Sequence, residues 1–270
     1  RRVRILCRVV DDRQGHGGRR GPRKASGAWS GPGRARPAQP RTGDTDDRPQ
    51  HDGPPIPPGV EAKQLAPEIR GELSTLDRAT ADAVARHLVA AGELIDEDPE
   101  AALKHARAAR ARSSRIAAVR EAVGIAAYHC GDWAQALAEL RAARRMGSKS
   151  PLLALIADCE RGLGRPERAI ELARGEEAAQ LSGDAADELR IVAAGARADL
   201  GQLEQALTVL STPQLDTSRS GSTAARLFYA YADTLLALGR NDEALEWFLR
   251  SAAADIDGVT DAEERVGELA

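Results

Sequence analysis

Five histidines (His16, His51, His87, His105, His129) and three cysteines (Cys7, Cys130, Cys159) are the side chains here best suited to metal or nucleophilic chemistry. None is spaced for it. No histidine pairs with a cysteine at zinc-ligand spacing. His129 and Cys130 are neighbours, but adjacent helix residues point about 100° apart and cannot grip one ion. There is no G-x-S-x-G, no H-E-x-x-H and no glycine-rich loop closing in Gly-Lys-Ser/Thr. The stretch "GSKS" at 147–150 lacks the Gly-Lys step. The many carboxylates read as solvated helix faces. The sequence therefore assigns no catalytic residue, no metal ligand and no cofactor, and it reads as a binding protein and not an enzyme.

The elements that must position a binding surface lie in the later part of the chain. Nine of the 14 prolines and 10 of the 25 glycines fall in residues 1–60. That segment holds 13 Lys/Arg and 6 Asp/Glu, whereas the remainder holds 25 and 35. A basic tail thus precedes an acidic body. The tail lacks the apolar density that offsets the entropy of ordering a chain, so residues 1–60 are expected to be disordered. The chain opens at Arg1 and its one methionine is Met146, so residues 1–40 read as an incomplete or misassigned gene start. Three cysteines make no even framework, which points to a reduced interior. "RILCRVV" is too short for a signal peptide's apolar core, and no run nears the ~20 residues of a membrane span. A cytoplasmic protein without membrane contact is expected.

A phrase recurs in the body. Gly131, Gly164, Gly201 and Gly239 are each followed, five residues on, by an alanine: Ala136, Ala169, Ala206 and Ala244. These alanines are 33, 37 and 38 residues apart, and Ala102 lies 34 before the first. Twelve residues before each glycine stands Val119, Leu152, Leu189 or Leu227. Small and apolar residues then follow at helical spacing, as in Leu155, Ile156, Cys159 and Leu163. The glycine falls where a left-handed helix C-cap is wanted. The alanine lets a second, antiparallel helix come close. Pro99 and Pro166 open second helices, where a missing N–H is harmless. Each period is a helical hairpin, and periods of this size stack.

The pattern resembles the tetratricopeptide repeat (TPR) family. Phe228-x2-Tyr231-Ala232-x2-Leu235 with Gly239 and Ala244-x3-Phe248 matches best, and Val123-Gly124 with "GDW" at 131–133 also fits. Glu160 and Arg197 stand where that pattern wants a bulky apolar side chain. Residues from "PPIPPGVEAKQL" to "NDEALEWF" are also similar to an actinobacterial family of TPR proteins, in keeping with 34 arginines against four lysines. The resemblance implies an all-α, right-handed solenoid over 61–270, with about five hairpins from 81 to 255 and flanking helices. "APEIRGELSTL" supplies one flank. The other is "VTDAEERVGEL", where Thr260 and Glu263 spell a capping box. "STPQLDTSRSGST" (211–223) reads as the longest internal connection.

In such a solenoid the first helices line a concave groove. Its expected contacts are Glu121, Tyr128, Asp158, Arg161, Glu188, Arg197, Tyr229 and Asp233, a mixture suited to a peptide or extended segment of another protein. The clamp by which some TPR domains hold chaperone C-termini needs groove asparagines and lysines. The one asparagine, Asn241, falls in a hairpin loop, and no lysine falls on the first helices of units two to five. The alternative is nucleic-acid association through "GGRRGPRK" (17–24), salt-dependent and limited to the tail. "PPIPP" (54–58) reads as a stiff junction. Apart from Trp29, all the aromatics lie in units two and five, so the middle of the stack is expected to open first.

Overall fold

The computed structural model describes residues 53–270. Most of the basic tail, including 17–24, lies outside the described residues. Within them the chain forms twelve α-helices and two three-residue 3-10 turns, with no strand. Helix α1 (Pro67–Leu73) leads in. Five hairpins follow. They are α2 (Arg78–Leu94) with α3 (Pro99–Arg112), α4 (Ala117–His129) with α5 (Trp133–Arg145), and α6 (Leu153–Gly162) with α7 (Pro166–Ala173). Then come α8 (Asp184–Asp199) with α9 (Leu203–Ser211), and α10 (Ser222–Ala237) with α11 (Asn241–Ala254). Helix α12 (Ala262–Leu269) covers the last pair. Each second helix packs on the first helix of the next hairpin, α2–α4, α6–α8 and α8–α10 also touch, and Tyr128 of α4 bonds Asp158 of α6, so the first helices form one layer.

The hairpin turns are built as their glycines require. Gly131, Gly164, Gly201 and Gly239 have φ between +71° and +76°, where a Cβ is costly. The residue after each donates its N–H to the carbonyl five back: Asp132 to Ala127, Arg165 to Glu160, Gln202 to Arg197 and Arg240 to Leu235, at 2.9–3.0 Å. This closure satisfies a carbonyl that the helix end leaves free. The first hairpin has no such glycine. There the Asp98 carboxylate accepts from the Ala101 N–H at 2.9 Å, and Pro99 opens α3. The five repeat alanines, Ala102, Ala136, Ala169, Ala206 and Ala244, are all fully buried at the helix crossings.

Two sequence expectations need correction. The 212–221 connection is ten residues, but 174–183 between α7 and α8 is also ten. The two together account for the stretched alanine periods of 37 and 38. The capping box at α12 does not form. Thr260 turns back instead, and its Oγ1 and N–H both donate to Asp255 Oδ2 at 2.7 Å. The Val259 N–H donates to the other carboxylate oxygen. Burial raises the Asp255 pKa, but these bonds outweigh it and the net shift is downward. Val266 and Leu269 still pack against the core that holds Phe248 and Leu235.

Charge is buried at the seams between hairpins. Glu139 of α5 is 5% exposed and lies between Arg110 of α3 and Arg120 of α4. Glu160 of α6, 3% exposed, is bonded by Arg141 of α5 at 2.6 Å. Asp187 of α8 is held by Arg190 and by Arg219 of the 212–221 connection. Glu188 accepts from Arg226 and Thr223 of α10. Each carboxylate thus ties one hairpin to the next or to the connection between them.

The first hairpin buries a different polar pair. His87 of α2 and His105 of α3 are each 3% exposed, with Nδ1 atoms 3.0 Å apart. Gly53 sits against them: a Cβ there would fall 3.3 Å from His87 Cε1 and 2.5 Å from the Ala108 Cβ. Further along this strap, Val60 is buried with Val89 and Ala90.

The packing sets two properties of the fold, its response to pH and its order of opening. Burial, with Arg112, His105 and Arg86 nearby, lowers the His87 pKa to about 4, and burial lowers that of His105. The folded state therefore stays neutral where the unfolded chain takes up protons. The stabilisation is full above the ordinary value of 6.5 and declines as pH falls toward about 4. The melting temperature should drop across that window, and a His87→Leu/His105→Leu chain should lose that limb. Second, α7 has eight residues and only Ala169 buried, the weakest anchorage among the paired helices. Native-state hydrogen exchange should be fastest in α7 and its flanking turn. Slowest exchange within 155–200 would overturn the order of opening.

Candidate functional site

The first-helix layer carries one continuous polar strip. Tyr128, in the last turn of α4, is buried, and its hydroxyl bonds Asp158 Oδ2 on α6. Asp158 Oδ1 accepts from Arg161 Nη1 at 2.8 Å. Arg161 then crosses to α8 and forks onto Asp199, with Nε–Oδ2 2.8 Å and Nη2–Oδ1 3.2 Å. Burial alone would weaken the arginine's charge, but the carboxylates of Asp199 and Asp158 outweigh it and raise its pKa. Exposure rises along the strip, from 16% for the Asp158 side chain through 27% for Arg161 to 41% for Asp199.

Two helical glycines make the strip possible. A Cβ on Gly162 would lie 2.5 Å from the Trp133 ring, and one on Gly195 would lie 2.7 Å from Arg161 Cζ. The indole and the guanidinium thus lie flat on the backbone of the next hairpin's first helix. Trp133 also meets the Tyr128 ring edge-on, with centroids 5.2 Å apart. Tyr128, Asp158 and Arg161 come together from the expected contacts. Asp199, Trp133 and the two glycines were not anticipated. Glycines inside a helix-forming stretch were their one sequence signal.

The remaining expected contacts go elsewhere. Glu121, near the start of α4, accepts from Ser148 and Ser150 and pins the 146–152 connection, both at 2.7 Å. Glu188 is 6% exposed in its seam with Arg226. Arg197 donates to Gln202 Oε1 across its own hairpin turn at 2.8 Å. Tyr229 and Asp233 form a second cluster under α12. Tyr229 stacks edge-on against Phe248, and burial followed by a hydrogen bond to Asp261 pushes its hydroxyl pKa up. Asp233 is exposed and faces Arg265 of α12 at 3.6 Å.

Other chemistry is sparse. Among the described residues no three metal-ligating side chains converge. The Cys130 thiol donates to the Pro99 carbonyl at 3.2 Å, and burial raises its pKa, so it stays a thiol. A cleft of about 320 Å³ lies between α5, α6 and α7. Most of its charges already pair, Glu160 with Arg141, Arg168 with Glu171 and Glu177 with Arg144. No described helix is long and apolar enough to cross a membrane.

No family model matches the chain. No curated protein matches it either. Among solved structures it is similar to YrrB, described as a TPR protein with an unusual peptide-binding site. The TM-score is 0.40 and the identity 18%, over 71% of this chain and 94% of that one.

The glycine seats can be tested directly. Gly195→Val should displace the Arg161 guanidinium and cost roughly 1–3 kcal/mol, the usual penalty for overpacking. Gly92 of α2 has nothing within 4 Å of its would-be Cβ. Gly92→Ala should therefore stabilise by roughly 1 kcal/mol through helix propensity. Chemical denaturation of the two variants reads both.

Proposed function

We propose that the chain is a non-catalytic scaffold that binds a peptide or an extended segment of another protein on its first-helix face. The observation that carries this reading is the strip itself. Two carboxylates, one guanidinium and an indole edge are held in fixed rotamers by neighbours on three successive hairpins. A surface so ordered binds without losing side-chain freedom at the moment of contact, which is where much of the cost of binding a flexible segment otherwise falls.

In this reading Asp199, Asp158 and Arg161 present hydrogen-bonding edges to the ligand. Trp133 offers apolar area, and Tyr128 is a positioning residue that fixes Asp158. Tyr229 and Asp233 would extend the surface toward α12.

The test is selection of peptides from a displayed random library on the full chain. Asp199→Asn and Arg161→Gln should each weaken the selected peptides by roughly tenfold, about 1.4 kcal/mol, with helicity unchanged. Peptides that bind both variants as well as the parent chain would show that this face is not the binding surface.

A further inference from the structure

The hairpin stack has two edges. One carries the tight turns within hairpins, and the other carries the connections between them. Along the second edge the charge reverses. At its start, the ends of α3 and α5 and the connections after them hold Arg112, Arg115, Arg144, Arg145 and Lys149, with no carboxylate between 140 and 157 or between 101 and 120. Both connections are drawn to the N-terminal half of α4, whose Ala118 N–H also donates to the Glu72 carboxylate of α1. Arg120 donates to the Ser114 carbonyl, and Glu121 accepts from Ser148 and Ser150. Arg115, Arg145 and Lys149 stay exposed there.

Further along, the same edge turns acidic on balance: Glu176 and Glu177 after α7, Asp184 at the start of α8, Asp216 after α9, and Asp255 and Asp257 after α11 outnumber Arg174 and Arg219. The imbalance runs through the whole body. Residues 78–149 carry 12 Lys/Arg and 9 Asp/Glu, whereas 150–270 carry 11 and 22. Among the described residues, two of the three large apolar side chains left exposed sit on this edge, one in each half: Met146 at 43% beside Arg145, and Ile256 at 75% beside Asp257. Where the halves meet, Arg144 and Glu177 already pair at 3.1 Å.

We propose that this edge is a homodimer interface. A row that is basic at one end and acidic at the other is self-complementary under a two-fold axis. Laid antiparallel, each copy sets its basic half on the partner's acidic half, and the contact closes at two subunits. Met146 and Ile256 supply apolar area within a charged rim. Because both halves are exposed, the attraction is screened over a Debye length of about 8–10 Å at ordinary salt. Association is therefore salt-sensitive. The surface lies apart from the first-helix strip, so both can be occupied together.

Sedimentation velocity of the full chain at tens of micromolar tests this. The mass should be that of a dimer at about 0.05 M salt and of a monomer at about 0.5 M. An Arg115→Glu/Arg145→Glu/Lys149→Glu chain reverses three of the five charges named on the basic half, and a Glu176→Lys/Asp257→Lys chain reverses two of the six carboxylates named on the acidic half. Each should be monomeric alone, and an equimolar mixture should give a heterodimer. A parent chain that is monomeric at low salt overturns the proposal, as does a mixture that stays monomeric or a dimer indifferent to salt and to both reversals. A monomer that instead binds duplex DNA through Arg115, Arg145 and Lys149 would make nucleic acid the occupant and equally overturn it.

Discussion

Most of this structure depends on carboxylates buried at the seams and held by arginine. Glu139, Glu160, Asp187 and Glu188 are all at most 6% exposed, and each meets at least one guanidinium. Ionised groups at that depth are costly to desolvate, and the pair is tolerated only when it is complete. Removing one partner strands the other, at about 3–5 kcal/mol. The seams therefore set how neighbouring hairpins sit, because a small slip would break a bond that nothing else can replace. An alanine-rich interface alone would not do this, since small side chains tolerate many relative positions. The planar fork of arginine suits the task, as one head can serve a carboxylate and a second acceptor together. Arg190 does so, bonding Asp187 while also donating to carbonyls at the end of α9.

The backbone plan was legible because its causes are local and repeated. A glycine, an alanine five residues later and an apolar stripe before them determine a turn, a crossing and a buried face. All of these recur in the structure. What resisted reading was charge. Glu160 and Arg197 looked like defects in an apolar pattern. Glu160 is buried as the pattern wants, but it is neutralised by Arg141 from the preceding hairpin, nineteen residues away. Arg197 crosses its own turn to Gln202. Such pairings depend on three-dimensional register between hairpins, which periodicity does not encode.

The same limit applies to the candidate surface. Stripe position placed Tyr128, Asp158 and Arg161 together, because neighbouring first helices present corresponding positions. It could not separate them from Glu121 and Glu188, which occupy the same face but are used up in holding a connection and a seam. Nor could it foresee Asp199, whose part depends on Arg161 reaching over Gly195.

Gly162 and Gly195 leave main chain as the floor beneath Trp133 and Arg161. A floor of that kind has no side chain to vary. So long as both glycines are kept, its contour can be altered only by moving a helix bodily, and the seam carboxylates resist that movement. Two kinds of change are thereby uncoupled: the rim of the strip is free to diversify one residue at a time, while its depth and pitch stay anchored to the architecture.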